Sequence, residues 1–160
     1  MKNLIRATIA AIALLAAIAP STVHADAAKL SPFDKRAIQC ERFTIVKTVR
    51  QIPRAVRDEL DRQNQGPMSM ADPGQEFNST DVVTRTLPSR RLIFAAVNSK
   101  YCIVHFEHGG FAYTCPVAIV KLWHHKAKLV GFLNANRPYK DLAALKKAIA
   151  TSQTPDVSNL

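Results

Sequence analysis

RRLIFAAVNSKYCIVHFEHGGFAYTCPVAIVKL, residues 90–122, decides how the chain folds. It contains three apolar runs rich in β-branched and aromatic residues: RRLIFAAV, YCIVHFEH and FAYTCPVAIVKL. The runs are separated by Asn98-Ser99-Lys100 and by Gly109-Gly110, short turns of the kind that close hairpins. The pattern predicts an antiparallel meander. KAKLVGFLNA, residues 126–135, supplies a fourth strand that stops before Asn136-Arg137-Pro138.

If Gly109 and Gly110 form a tight two-residue turn, His108 faces Phe111, Phe106 faces Tyr113, Val104 faces Cys115 and Cys102 faces Val117. Opposed residues share a face. One face is then almost wholly apolar and packs under a helix. The other carries Ile103, His105 and Glu107 with Ala112, Thr114 and Pro116, and is wetter. Pro116 removes a ladder donor, which favours an edge or a bulge.

The neighbouring segments complete an α+β domain. FTIVKTV reads as a strand near Phe43–Val49, and the preceding AIQCER is open between helix and strand. IPRAVRDELDRQ reads as a helix, with Pro53 suited to its first turn and Ile52, Val56 and Leu60 on one face. Residues 64–80, NQGPMSMADPGQEFNST, form a long connection of the kind that is often functional or mobile. Its Asn78-Ser79-Thr80 fits a glycosylation pattern that is common by chance. YKDLAALKKAIAT closes the domain as a helix with Leu142, Leu145 and Ile149 on its apolar face. The reading is a sheet of about four to five strands with one helix before it and one C-terminal helix packed on it.

MKNLIR, a thirteen-residue apolar run and PSTVHA open the chain and have the layout of a secretory signal peptide cleaved near Ala25. The run is shorter than the ~20 residues that span a bilayer, and no second spanning candidate follows. The chain therefore divides into a signal at 1–25, a loose lead at 26–36, one domain at 37–151 and a polar tail at 152–160. The expected location is the periplasm or the medium.

Without Lys2 and Arg6, the 22 basic residues fall to 20 against 12 acidic ones, a net charge of +8. The basic residues are spread from Lys29 to Lys147 with no run longer than two, as on a solvated surface. The partners such a charge attracts in an exported protein are an anionic envelope component or another envelope protein. Chromosomal nucleic acid is not expected.

Residues 100–125 hold four of the five histidines, two of the three cysteines and the only tryptophan. His105 and Glu107, two apart on one strand, project to the same side and are the candidate ligand-binding pair; His108 belongs to the other face. The pleat excludes a three-ligand metal site from this strand alone. Zinc would need His105, Glu107 and a later histidine, and no known metal-motif spacing is present. An acid–base set of His105, Glu107, His124 and Lys121 defines the alternative function, a small metal-dependent or acid–base hydrolase. No nucleophile elbow, phosphate-cradling glycine loop or Cys-x-x-Cys occurs, and no cofactor is expected.

Three cysteines in an oxidising compartment allow one disulfide. Cys102 with Cys115 is the expected pair. The two lie diagonally in the register above and directly opposite if the turn moves to His108-Gly109. Cys40 is the other possible partner, and three buried thiols are the structural alternative.

ADPGQEFNSTDVV, RRLIFAAV, VHFEHGG and RPYKDLAALKKAI together resemble small exported proteobacterial proteins of uncharacterised function, over most of residues 50–150. The resemblance brings no activity, cofactor or ligand with it. The leading functional expectation is a non-enzymatic binding or accessory protein of the cell envelope.

Overall fold

The run YCIVHF is buried at all six positions, 101–106, which an antiparallel strand achieves only when both faces of its sheet are covered. The computed structural model describes residues 30–151. The expected signal peptide and polar tail lie outside them. The elements are α1 (Pro32–Cys40), β1 (Thr44–Val46), a 3₁₀ turn (Val49–Gln51), α2 (Arg54–Gln63), β2 (Arg90–Val97), β3 (Tyr101–His108), β4 (Val117–Trp123), β5 (Lys126–Leu133) and α3 (Leu142–Thr151). The strands form one antiparallel sheet in the order β1-β2-β3-β4-β5. The α+β class and the meander follow the sequence expectation.

Two cores sandwich the sheet. Ile38 of α1 and Leu145 and Ile149 of α3 cluster with Ala96, Ile103 and Ile119. Val56 and Leu60 of α2, with Ile52 just before it, cluster with Ala95, Val104, Ala118 and Val120 on the opposite face. Burying each of these Ile, Leu and Val side chains contributes roughly 1.5–3 kcal/mol. The expectation of one packed and one wetter face is therefore corrected.

Residues 32–36, expected in a loose lead, belong to α1. Ser31 caps the helix by accepting the Asp34 N–H at 3.1 Å, and Pro32 occupies the first turn, where a missing N–H costs nothing. The strand expected at Phe43–Val49 shortens to Thr44–Val46, because the chain turns into the 3₁₀ segment at Val49.

The hairpin register is also corrected. Tyr101 pairs with Lys121, Ile103 with Ile119 and His105 with Val117, and an isolated bridge joins His108 to Thr114. The connection is a five-residue loop, 109–113, in place of a Gly109-Gly110 turn. Gly109 serves a different purpose: a Cβ there would lie 1.8 Å from the Asn78 carbonyl oxygen, and its N–H donates to Ser89 O at 3.0 Å. The chain reverses later, with Gly110 at φ 121°. Pro116 immediately precedes β4, where its missing donor interrupts no ladder.

The long α2–β2 connection is structured. The Ala71 N–H donates to Arg90 O, and the Leu92 N–H donates to Ala71 O, both at 2.9 Å, extending the sheet beside β2. The Asn78 side chain is buried, accepts the Thr84 N–H and donates to Thr84 O and Leu87 O. These bonds leave no room for a glycan on Asn78.

Candidate functional site

A bulge in β2 between Leu92 and Phe94 lies opposite His105 and Phe106. It places Leu92 in the α2 core and Phe94 in the α1–α3 core, an exchange of faces that a bulge makes possible. The Phe94 ring meets the His105 imidazole edge-on at 5.4 Å. His105 is wholly buried. Its Nδ1–H donates to Pro116 O at 3.1 Å, and its Nε2 accepts the Tyr139 N–H at 3.0 Å. Those two bonds assign the neutral Nδ1–H tautomer, and burial moves the pKa below 6.5. No lone pair or proton is left for a ligand. His105 is a core histidine that ties the α3 approach to the sheet.

Glu107 shares the His105 side of the strand, as the pleat requires, but has different partners. It sits opposite Arg91 and accepts its guanidinium hydrogen bonds at 2.5 and 3.1 Å. Tyr113 Oη donates to the same carboxylate at 2.5 Å. Burial alone would raise the Glu107 pKa; the bonds from Arg91 and Tyr113 outweigh it and hold the carboxyl below its ordinary range. Arg91 also stacks over Phe77 at 4.5 Å and donates to Gln75 O. Glu107 is thus the centre of a knot that joins two loops to the sheet.

The catalytic set read from the sequence is dispersed. Lys121 pairs with Asp34 at 2.9 Å, and His124 lies in the β4–β5 turn, at the other end of β4 from the Val117 that faces His105. Among the described residues, no group of three or more His, Cys, Asp or Glu could hold a metal ion.

The Cys102–Cys115 disulfide is corrected as well: all three cysteines are free, with Cys40 exposed and the other two buried. Cys102 faces Val120 within the α2 core, whereas Cys115 lies in the loop before β4, so the true register carries them apart. Burial pushes the Cys102 thiol up to about 12.

Sequence reasoning missed two features. The first is a polar cluster around buried Asp34, which accepts from Ser31 Oγ at 2.5 Å, Tyr101 Oη at 2.7 Å and Lys121 Nζ at 2.9 Å. Burial opposes ionisation, but these donors prevail and lower the Asp34 pKa. Ser31-x-x-Asp34, a capping signature, was its legible signal. The cluster pins α1 to paired Tyr101 and Lys121.

The second is a groove of about 510 Å³ between the start of α2 and the β4–β5 turn. Pro53, Arg54 and Asp58 line one side. Trp123, His124, His125 and Lys126 line the other. Trp123 pairs with Lys126 across a two-residue turn in which His124 and His125 have φ of 42° and 63°. A two-residue hairpin with both φ values positive favours Asn-Gly, and each ordinary L-residue in this left-handed region costs on the order of 1–2 kcal/mol. Two adjacent histidines there are therefore unexpected. A further groove of about 410 Å³, lined by Met68 and Met70, lies between α2 and the following loop.

Compared with protein-family models, curated proteins and solved structures, the chain matches none.

Proposed function

We propose that this chain is an exported, non-catalytic binding or accessory protein of the cell envelope. The observation that carries this reading is the complete internal engagement of the two residues best suited to chemistry. Both ring nitrogens of His105 and both carboxylate oxygens of Glu107 are held by other groups of the protein. A general base must reach a substrate proton, and a metal ligand must have a free lone pair. His105 meets neither condition, and Glu107 is committed as the anion of an ion pair with Arg91 and the acceptor of the Tyr113 hydroxyl. Accessible polar chemistry lies instead in open grooves, where binding needs no reorganisation of the core.

Export is tested by fractionating the native host. A species lacking residues 1–25 should occur in the periplasm or the medium; full-length chain in the inner membrane would overturn the reading. The enzymatic alternative is tested by metal analysis of mature protein purified without chelator, followed by a zinc titration. Retention of about one equivalent would move the assignment to a metal-dependent hydrolase.

A further inference from the structure

The groove beside the β4–β5 turn combines three independent features: a volume suited to a small molecule, clustered cationic and imidazole groups, and a strained backbone. Its Arg54, Lys126, His124 and His125 are opposed by one acid, Asp58. Arg54 and Asp58 are 3.7 Å apart, but both side chains are largely in water, where such a pair contributes little and can exchange for a ligand anion. His124, His125 and Lys126 have no side-chain hydrogen bond or ion pair among the described residues. Leu122, Trp123 and Pro53 add apolar surface. The groups that would recognise a charge and those that would cover an apolar body therefore lie together.

We propose that this groove binds a small organic anion, a phosphate or carboxylate carried on an apolar ring. Arg54, Lys126 and the two imidazoles hold the anionic group, and the apolar lining covers the ring. The inference rests on the binding-protein reading above and names its site and ligand class. It also accounts for His-His in a turn that Asn-Gly would fill without strain, since backbone strain is retained where surrounding structure and function require it.

Trp123 is the chain's single tryptophan, so its fluorescence reports directly on this groove. The mature protein is titrated with phenyl phosphate and benzoate, with inorganic phosphate and phenol as the anion-only and ring-only arms. The expected result is a saturable change with phenyl phosphate or benzoate and weaker effects from either fragment. The two full probes distinguish a phosphate from a carboxylate ligand. Arg54→Gln, and separately His124→Asn with His125→Gly, should each weaken the better probe about tenfold or more, as expected for loss of a charge-assisted hydrogen bond. Arg137→Gln, removing an equal charge from an exposed loop, should leave affinity unchanged.

The Asn-Gly replacement has a second readout, because relieving the positive-φ strain should raise the melting temperature while binding is lost. No saturable signal with either full probe would overturn the proposal, as would wild-type affinity in both groove variants. A ligand recovered from envelope fractions that binds those variants as tightly as wild type would overturn this site and leave the binding-protein reading standing.

Discussion

Glu107 and Arg91 face each other on neighbouring strands and join through both carboxylate oxygens, at 2.5 and 3.1 Å. The Glu107 side chain is mostly shielded from water, so the pair keeps more of its charge-assisted strength than an open surface bridge. Glu107→Gln should destabilise the protein by about 1.5–3 kcal/mol, the range for a hydrogen bond to a charged group. Urea denaturation measures this, and amide exchange should quicken at Gly109–Tyr113 because Tyr113 loses its anionic acceptor. Since the folded pKa of Glu107 lies below 4.5, its contribution is complete above about pH 4.5. It is lost as pH falls through the lowered folded value.

His105 sets a second pH dependence, in a higher window. Its folded pKa is depressed below 6.5, so below that pH the unfolded chain takes up a proton that the folded core resists. Stability should be complete above about pH 6.5 and decline as pH falls toward the folded value. His108, also depressed by burial and by Arg90, contributes with the same sign. Urea midpoints measured from pH 8 to 5 in a His108→Gln background isolate His105. A flat profile there would show that folding does not depress the His105 pKa, since a protonated Nε2 can no longer accept the Tyr139 N–H.

Three aromatic residues separate packed from exposed positions. Phe106 is buried in the α2 core and Phe111 is fully exposed, with Tyr113 between them at 41% exposure. Phe106→Ala should cost about 3–5 kcal/mol. Phe111→Ala should stay within about 0.5 kcal/mol of wild type. Tyr113→Ala loses mainly its bond to Glu107 and should cost about 1.5–3 kcal/mol. Equal costs for Phe106 and Phe111 would contradict the register.

Thiol counting tests the cysteines. Only Cys40 should react in the native protein, and all three should react after denaturation without reductant, because Cys102 and Cys115 are buried and unbridged. A count of one free thiol in the denatured chain would restore the disulfide.

Much of the sheet was legible in the sequence because strands announce themselves locally. RRLIFAAV, YCIVHFEH and KAKLVGFL appear as β2, β3 and β5, and Val56 and Leu60 share the buried face of α2, while Ile52 reaches the same core from the extended residue that precedes the helix. The candidate pair His105 and Glu107 was correctly placed on one side of its strand, since a period of two is a property of the backbone alone. Their roles were not legible. An imidazole satisfied by Pro116 and Tyr139 has the same sequence signature as one waiting for a ligand.

The sequence by itself determined the three long apolar strands, the α2 and α3 helices and the alternation along β3, because these follow from local sterics and the spacing of apolar residues; α1 and the β2 bulge, which puts Leu92 and Phe94 in opposite cores, did not show in it. Only the tertiary structure decided what each face meets and where each strand pairs. Gly109-Gly110 satisfies the local rule for a tight turn, yet Gly109 is needed where the Asn78 backbone crosses it too closely for any Cβ. That contact lies thirty-one positions away in the chain. It lengthens the β3–β4 loop and moves the hairpin register by an odd step, so Tyr113 leaves the packed face and Cys115 moves away from Cys102. The opposite partners of β3 then become Val117, Ile119 and Lys121 for the odd positions, and the covering of both faces by α1, α2 and α3 turns an apparently wet histidine into part of the core.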